Sequence, residues 1–223
     1  MKTVYLVRHA SASEREASQK DVERTLSNKG QQEAKMIANL FKDRGSIPDI
    51  WISSQARRAM ETAYIFAEIL NYSPQKIQLN NKIYDESSGS RFVSLLNTLD
   101  EKAGSCIIFG HEPTLSELAA VLVRQYHFPL PKAGTLGIIF PIKKWQQVEV
   151  GNGLLKMILF PQSEKFAREI LKKTLTATLS EKNQEILQLL DRQTAKDIQD
   201  MVARHSEKIV KKFIKRLESE DSN

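Results

Sequence analysis

Short apolar runs alternate with amphipathic stretches through residues 1–161, and this alternation leaves the chain few architectures to choose from. Residues 2–7 read as a buried strand that ends at Arg8. Ser27 then caps a helix on which Ala34, Ile37, Ala38 and Phe41 recur at helical spacing, and Gly45 and Pro48 end it. Residues 49–53 form a second strand, followed by a helix carrying Ala59, Ala63, Phe66, Ala67 and Leu70. A helix near residues 91–99 leads to a third buried strand over residues 105–109, broken by Gly110. Pro113 suits the first turn of the next helix, with Leu115, Leu118, Ala119 and Leu122 on one face. Three β-rich segments close the series, at residues 135–140, 146–150 and 154–160, with a hairpin signal at Asn152-Gly153. The pattern predicts an α/β fold, a three-layer α/β/α sandwich on a mostly parallel sheet with an antiparallel edge.

From about Gln162 no strand signal returns, which divides the chain into a domain over 1–161 and an all-helical extension over 162–223. Ile170, Leu171, Leu175 and Leu179 suggest one helix. Ser180 could cap a longer one, on which Leu187, Leu190, Ile198, Val202, His205, Ile209 and Phe213 follow a period near 3.6 residues. An apolar face of that length needs cover. A homodimer through these helices is the favoured expectation, with fold-back on the parent domain or a substrate-docking arm as alternatives.

Composition excludes several classes. A single cysteine, Cys106, within an apolar run, rules out an internal disulfide framework and argues against a thiolate zinc site. The apolar opening run is too short for a signal peptide and is interrupted by Arg8-His9, and no stretch approaches the length of a membrane helix, so a cytoplasmic protein with no membrane partner is expected. The net charge of +6 suits anionic substrates. Basic residues form no dense stripe, and the few aromatics do not interleave with them, so no nucleic-acid partner is expected.

Four short motifs could carry chemistry, and the first three stand at strand ends, where ligands bind in open α/β sheets. The first is Leu6-Val7-Arg8-His9: an imidazole is a competent nucleophile toward phosphorus, and a guanidinium holds phosphate oxygens. The second, residues 53–62, opens a helix with Arg57 and Arg58 in its first turn, at a natural anion site. The third is Gly110-His111-Glu112-Pro113. The fourth, residues 21–30, places Arg24 just before the capped helix. Taken singly, each could be an ordinary loop or helix start. His127 and His205 read as structural.

Together and in this order, these motifs resemble the histidine phosphatase superfamily, and the chain before the tail resembles its SixA-type phosphohistidine phosphatases. The family's Ser-x-x-x-Arg-Ala-x-x-Thr element maps onto Ser54, Arg58, Ala59 and Thr62, which selects Arg58 over Arg57. Its Arg-x-Leu-Ser/Thr-x-x-Gly element maps onto Arg24, Leu26, Ser27 and Gly30. The resemblance implies a metal-independent phosphatase without cofactor, in which His9 accepts the phosphoryl group and Arg8, Arg58 and His111 surround it. Arg24 and Ser54 are implied as substrate-binding residues, although Arg24 could equally order the loop before the first helix. The substrate would be a phosphorylated protein, through its phosphohistidine, or a small phosphorylated molecule. A small-ester phosphatase and a non-catalytic phosphoprotein-binding adaptor are the alternatives.

Two positions depart from the pattern: Ala10 stands where the larger family has glycine, and Gln55 where it has proline. Where related ester phosphatases carry a glutamate general acid, this chain has Asn80-Asn81, with Asp85 and Glu86 a few positions later as substitutes or surface charges. His9 and His111 lack a third partner of the kind a metal site needs.

Overall fold

The computed structural model describes residues 1–44, 47–81, 83 and 89–161, and 169–170, 173–174, 176–177 and 180–181 beyond them. The chain divides into two compact units, Met1–Ala167 and Arg168–Asn223. In the second unit the described residues are helical. The period over residues 187–213, and the dimer expected on it, lie outside the described residues, as do Asp85, Glu86 and His205. Among the described residues no helix is long and apolar enough to cross a membrane.

In the first unit the elements run β1 (Lys2–Arg8), α1 (Asn28–Arg44), β2 (Ile50–Ser53), α2 (Arg57–Ile69), β3 (Gln78–Leu79), α3 (Gly89–Asn97), β4 (Ser105–Gly110), α4 (Thr114–Leu122), β5 (Thr135–Phe140) and β6 (Leu154–Leu159). The sheet order is β3-β2-β4-β1-β5-β6. The pairs β3–β2, β2–β4 and β4–β1 are parallel, while β1–β5 and β5–β6 are antiparallel. The sheet is therefore mostly parallel with an antiparallel edge, as the alternation of elements predicts.

Strand side chains alternate between faces, so a sheet covered on both sides shows unbroken apolar runs. Tyr5, Val7, Trp51, Ile107 and Phe109 join one core cluster with Ala34, Ile37 and Phe41 of α1 and Ala63 and Phe66 of α2. Val4, Leu6, Ile52, Cys106 and Ile108, the alternate positions, are equally buried, on the side where α4 meets β1 and α3. Cys106 is an inert core residue, and burial pushes its thiol far up.

The start of α1 is built as its sequence predicts. Ser27 Oγ accepts the Gly30 N–H at 3.1 Å, while the Ser27 N–H and hydroxyl both donate to the Ser11 carbonyl, at 2.9 and 3.0 Å. A Cβ on Gly30 would stand 1.9 Å from that carbonyl oxygen, so the close approach of α1 to the loop after β1 requires glycine.

Two expectations need correction. Residues 146–150 form no strand; a single 3-10 turn spans Trp145–Gln147. Trp145 and Val148 are the buried positions, a spacing of three rather than two. The buried Trp145 fixes the turn: its indole N–H donates to the Ala103 carbonyl at 2.8 Å, and its amide to Glu101 Oε2 at 2.8 Å. Asn152-Gly153 therefore joins this turn, not a strand, to β6, and β6 pairs with β5. The second difference is β3, two exposed edge residues that no periodicity announces.

Candidate active site

Three parallel strands stop at one edge of the sheet. The register sets Arg8 beside Gly110 and Ser53 beside Phe109, so the residues that follow emerge together. The His9 N–H donates to the Gly110 carbonyl at 3.0 Å and the Ser54 N–H to the Phe109 carbonyl at 2.9 Å, which carries the strand pairing one residue beyond the elements themselves. His9, Ser54 and His111 are thus neighbours by backbone geometry. The His9 and His111 rings lie 5.0 Å apart between centroids.

The hydrogen bonds of His9 assign its tautomer. Nδ1 faces the Ala10 carbonyl at 2.7 Å, an atom that can only accept, so Nδ1 carries the proton. Nε2 receives Arg58 Nε–H at 3.1 Å, so Nε2 presents its lone pair. Ala10 is held by its N–H on Thr62 Oγ1 at 3.1 Å, and Thr62 donates to the Arg58 carbonyl at 2.8 Å. Asn71 and Ala133 are the non-glycine residues at positive φ among those described, so Ala10 occupies ordinary backbone and the position does not need glycine.

Arg58 and Arg57 face opposite ways at the start of α2. Arg58 is buried; Arg57 is exposed and pairs with Glu61 at 3.0 Å. Arg58 gives Nε to His9, Nη1 to the Asp21 carbonyl at 2.7 Å and Nη2 to Asp21 Oδ2 at 2.9 Å. His111 Nε2 and Ser54 Oγ share a hydrogen bond of 2.8 Å, and Ser54 Oγ also accepts the Ala56 N–H at 3.2 Å. Arg8 donates Nη1 to the Leu130 carbonyl at 2.7 Å.

The remaining residue of the expected set lies outside this group. Arg24 holds the loop before α1, donating Nε and Nη2 to the Ser13 carbonyl at 3.2 and 2.9 Å and Nη1 to Asp21 Oδ1 at 3.1 Å. Its bond to Asp21 links it to the centre. A shallow depression of about 570 Å³ is lined by Val22, Glu23, Gln55, Arg57, Met60, Glu61 and Tyr64, none of which belongs to this group.

Three contributors went unassigned in the sequence. Asp21 pairs with Arg58; the Leu130 carbonyl fixes Arg8; and Lys132 adds positive charge toward His9. Only Asp21 had a visible signal, three residues before Arg24 in the quoted motif. The Leu130–Lys132 segment is brought in by β5, whose antiparallel pairing with β1 no local pattern reveals.

Burial sets the protonation of both histidines. It pushes His9 down to about 3; the Ala10 carbonyl opposes this, and the charges of Arg58, Arg8 and Lys132 add to it. Burial likewise lowers His111 to about 3, with further pressure from His9, Arg58 and Arg8 and a partial offset from Asp21. Both rings are therefore neutral near pH 7. Unfolded histidine titrates near 6.5, so between about pH 6.5 and 3 the unfolded chain binds more protons than the folded one. The stability owed to this pair is complete above that window and is lost as pH falls through it. Urea titrations at about pH 7.5 and 4.5 test this: the loss on acidification will be smaller in His111→Asn than in the unmodified protein. An equal loss in both would contradict the assignment.

Among the described residues no group of three His, Cys, Asp or Glu is placed to hold a metal ion.

Comparisons with known proteins agree with this fold. The family model of the histidine phosphatase superfamily (branch 1) matches residues 4–84. A crystal structure from Agrobacterium tumefaciens, described as a candidate phosphohistidine phosphatase SixA, aligns with a TM-score of 0.62 at 25% identity, covering 72% of this chain and 98% of that one. The protein histidine phosphatase SixA complexed with tungstate aligns with a TM-score of 0.61 at 21% identity, over 71% of this chain and 97% of its own. An uncharacterised protein of Picosynechococcus sp. is 28% identical over 140 residues, 60% of this chain and 83% of that protein.

Proposed function

Since the chain belongs to the histidine phosphatase superfamily, we propose that it hydrolyses phosphohistidine on proteins by way of a phosphorylated His9. The observation that carries this reading is the lone pair of His9 Nε2, neutral at working pH and held beside Arg58 Nε. A neutral imidazole with its proton fixed on Nδ1 needs no general base before attacking phosphorus. Attack forms the bond from Nε2 to phosphorus and breaks the bond to the leaving group. Water then cleaves phospho-His9, releasing inorganic phosphate.

Arg8, Arg58 and His111 stabilise the equatorial oxygens in this scheme, with Ser54 orienting His111. Two neighbouring guanidinium groups supply the charge a metal ion would otherwise bring. Activity will therefore persist in EDTA; loss in EDTA with recovery on adding a divalent metal would refute this.

One feature favours a P–N substrate. An imidazole leaves far more readily than an alkoxide, which needs a proton in the transition state. Asn80 and Asn81 offer no such proton. Incubation with a radiolabelled phosphohistidine protein, followed by an alkaline quench, tests the scheme. Acid-labile, alkali-stable label on His9 is expected; label elsewhere, or turnover without a labelled intermediate, would overturn it.

A further inference from the structure

Asp21 belongs to none of the groups assigned so far to the phosphoryl transfer, yet it touches the machinery they form. Its Oδ2 accepts from Arg58 Nη2 and its main-chain carbonyl from Arg58 Nη1, while Oδ1 accepts from Arg24 Nη1. Arg24 is itself anchored on the Ser13 carbonyl. The carboxylate is thus gripped from two sides, and its side chain remains 37% exposed. It also acts on His111, partly offsetting the positive charges around that ring.

The order of contacts gives this arrangement a direction. Arg58 offers Nε to the nucleophile and both terminal nitrogens to Asp21. A phosphoryl group lying along this guanidinium, in line with His9 Nε2, has its departing atom at the Asp21 end. A carboxylate there, occupied by two guanidinium groups, is an acceptor and an anion; it has no proton to give. An alkoxide departing beside it would place two negative charges together. A protonated imidazole would pair with it.

We infer that Asp21 determines leaving-group specificity, its carboxylate receiving the ring N–H of phosphohistidine and disfavouring phosphate esters. Asp21 can act this way only if His9 is the phosphate acceptor proposed above. The substrate ring enters protonated on the nitrogen that does not carry phosphorus. His9 Nε2 gives its lone pair to phosphorus as the P–N bond of the substrate breaks. The electron pair of that bond returns to the substrate ring, which leaves as neutral imidazole and keeps its N–H. Positive charge passes to the His9 ring, whose Nδ1–H rests on the Ala10 carbonyl. No proton is transferred, and one carboxylate and one carbonyl serve the two ends of the same charge movement.

The experiment compares the unmodified full chain with Asp21→Asn on free phosphohistidine and on p-nitrophenyl phosphate, each across a pH series. The ratio of kcat/KM for phosphohistidine to that for p-nitrophenyl phosphate will fall about tenfold or more in the variant, the scale of one charge-assisted hydrogen bond. The alkaline fall-off in phosphohistidine turnover will also move to lower pH, because the carboxylate no longer helps the substrate ring hold its proton. A proportionate fall on both substrates with an unmoved pH profile, or no change on either, would overturn the inference while leaving His9 chemistry intact. An unmodified protein that cleaves p-nitrophenyl phosphate but not phosphohistidine would overturn the phosphohistidine reading itself.

Discussion

Replacing His9 with alanine will abolish turnover and covalent labelling together, with kcat lowered by about 10⁴-fold or more, the scale seen when a nucleophile is removed. Among the described residues the other imidazole of the site is His111. His111 is 5.0 Å away between ring centroids, and its Nε2 is engaged by Ser54. Alanine there removes a buried ring and the partner of Arg58 Nε, so some stability will be lost as well. Far-UV dichroism and a urea titration separate the two effects: a folded, inactive and unlabelled variant supports the nucleophile, whereas a folded variant with substantial phosphatase activity removes His9 from the mechanism.

The second large effect concerns the two adjacent arginines. Arg58→Ala will lower kcat by about 10²–10³-fold, the range for deleting a preorganised donor aimed at developing charge. It releases His9 Nε2 and Asp21 at once. Arg57→Ala removes a largely exposed side chain whose ion pair with Glu61 is worth at most about 1 kcal/mol. Glu61 keeps its bond from the Leu26 N–H at 2.7 Å in that variant. Activity within about threefold of the unmodified protein is expected for Arg57→Ala. Reversal of this order would show that the helix presents the other arginine to substrate.

The resemblance's Ser-x-x-x-Arg-Ala-x-x-Thr register selects Arg58 over Arg57, and the burial pattern of α2 turns the same residue inward. Arg58, Ala59, Thr62, Ala63 and Phe66 share one buried stripe at helical spacing, and Arg57 falls off it. The strand ends at Arg8, Ser53 and Gly110 were legible in the sequence itself: apolar runs covered on both faces are conspicuous, and the polar residue that ends each run marks the sheet edge. Legibility failed where an element was too short for a period, as in β3, and where one buried Trp145 organised a turn that alternation mistakes for a strand. It failed also for groups supplied by distant backbone. The Leu130 carbonyl that holds Arg8 has no side-chain signature, since any residue carries a carbonyl. Asp21 was visible as a letter, but its value lies in two guanidinium groups that converge on it only after α2 docks against the loop before α1.

The place of β1 in the sheet has a consequence for how the protein is made. Its neighbours are β4 and β5, which begin at Ser105 and Thr135, so the first strand of this unit is flanked by two of its later ones. Throughout that interval the apolar run Val4–Val7 has neither edge paired, and closing so long a loop is slow relative to local helix formation. The nascent chain therefore carries an unpaired apolar strand through most of the synthesis of this unit. His9 cannot adopt its working geometry until Gly110 and Ala133 have emerged to hold its backbone on either side. A ribosome stalled before that point would display an Arg-His pair without the backbone partners that fix it.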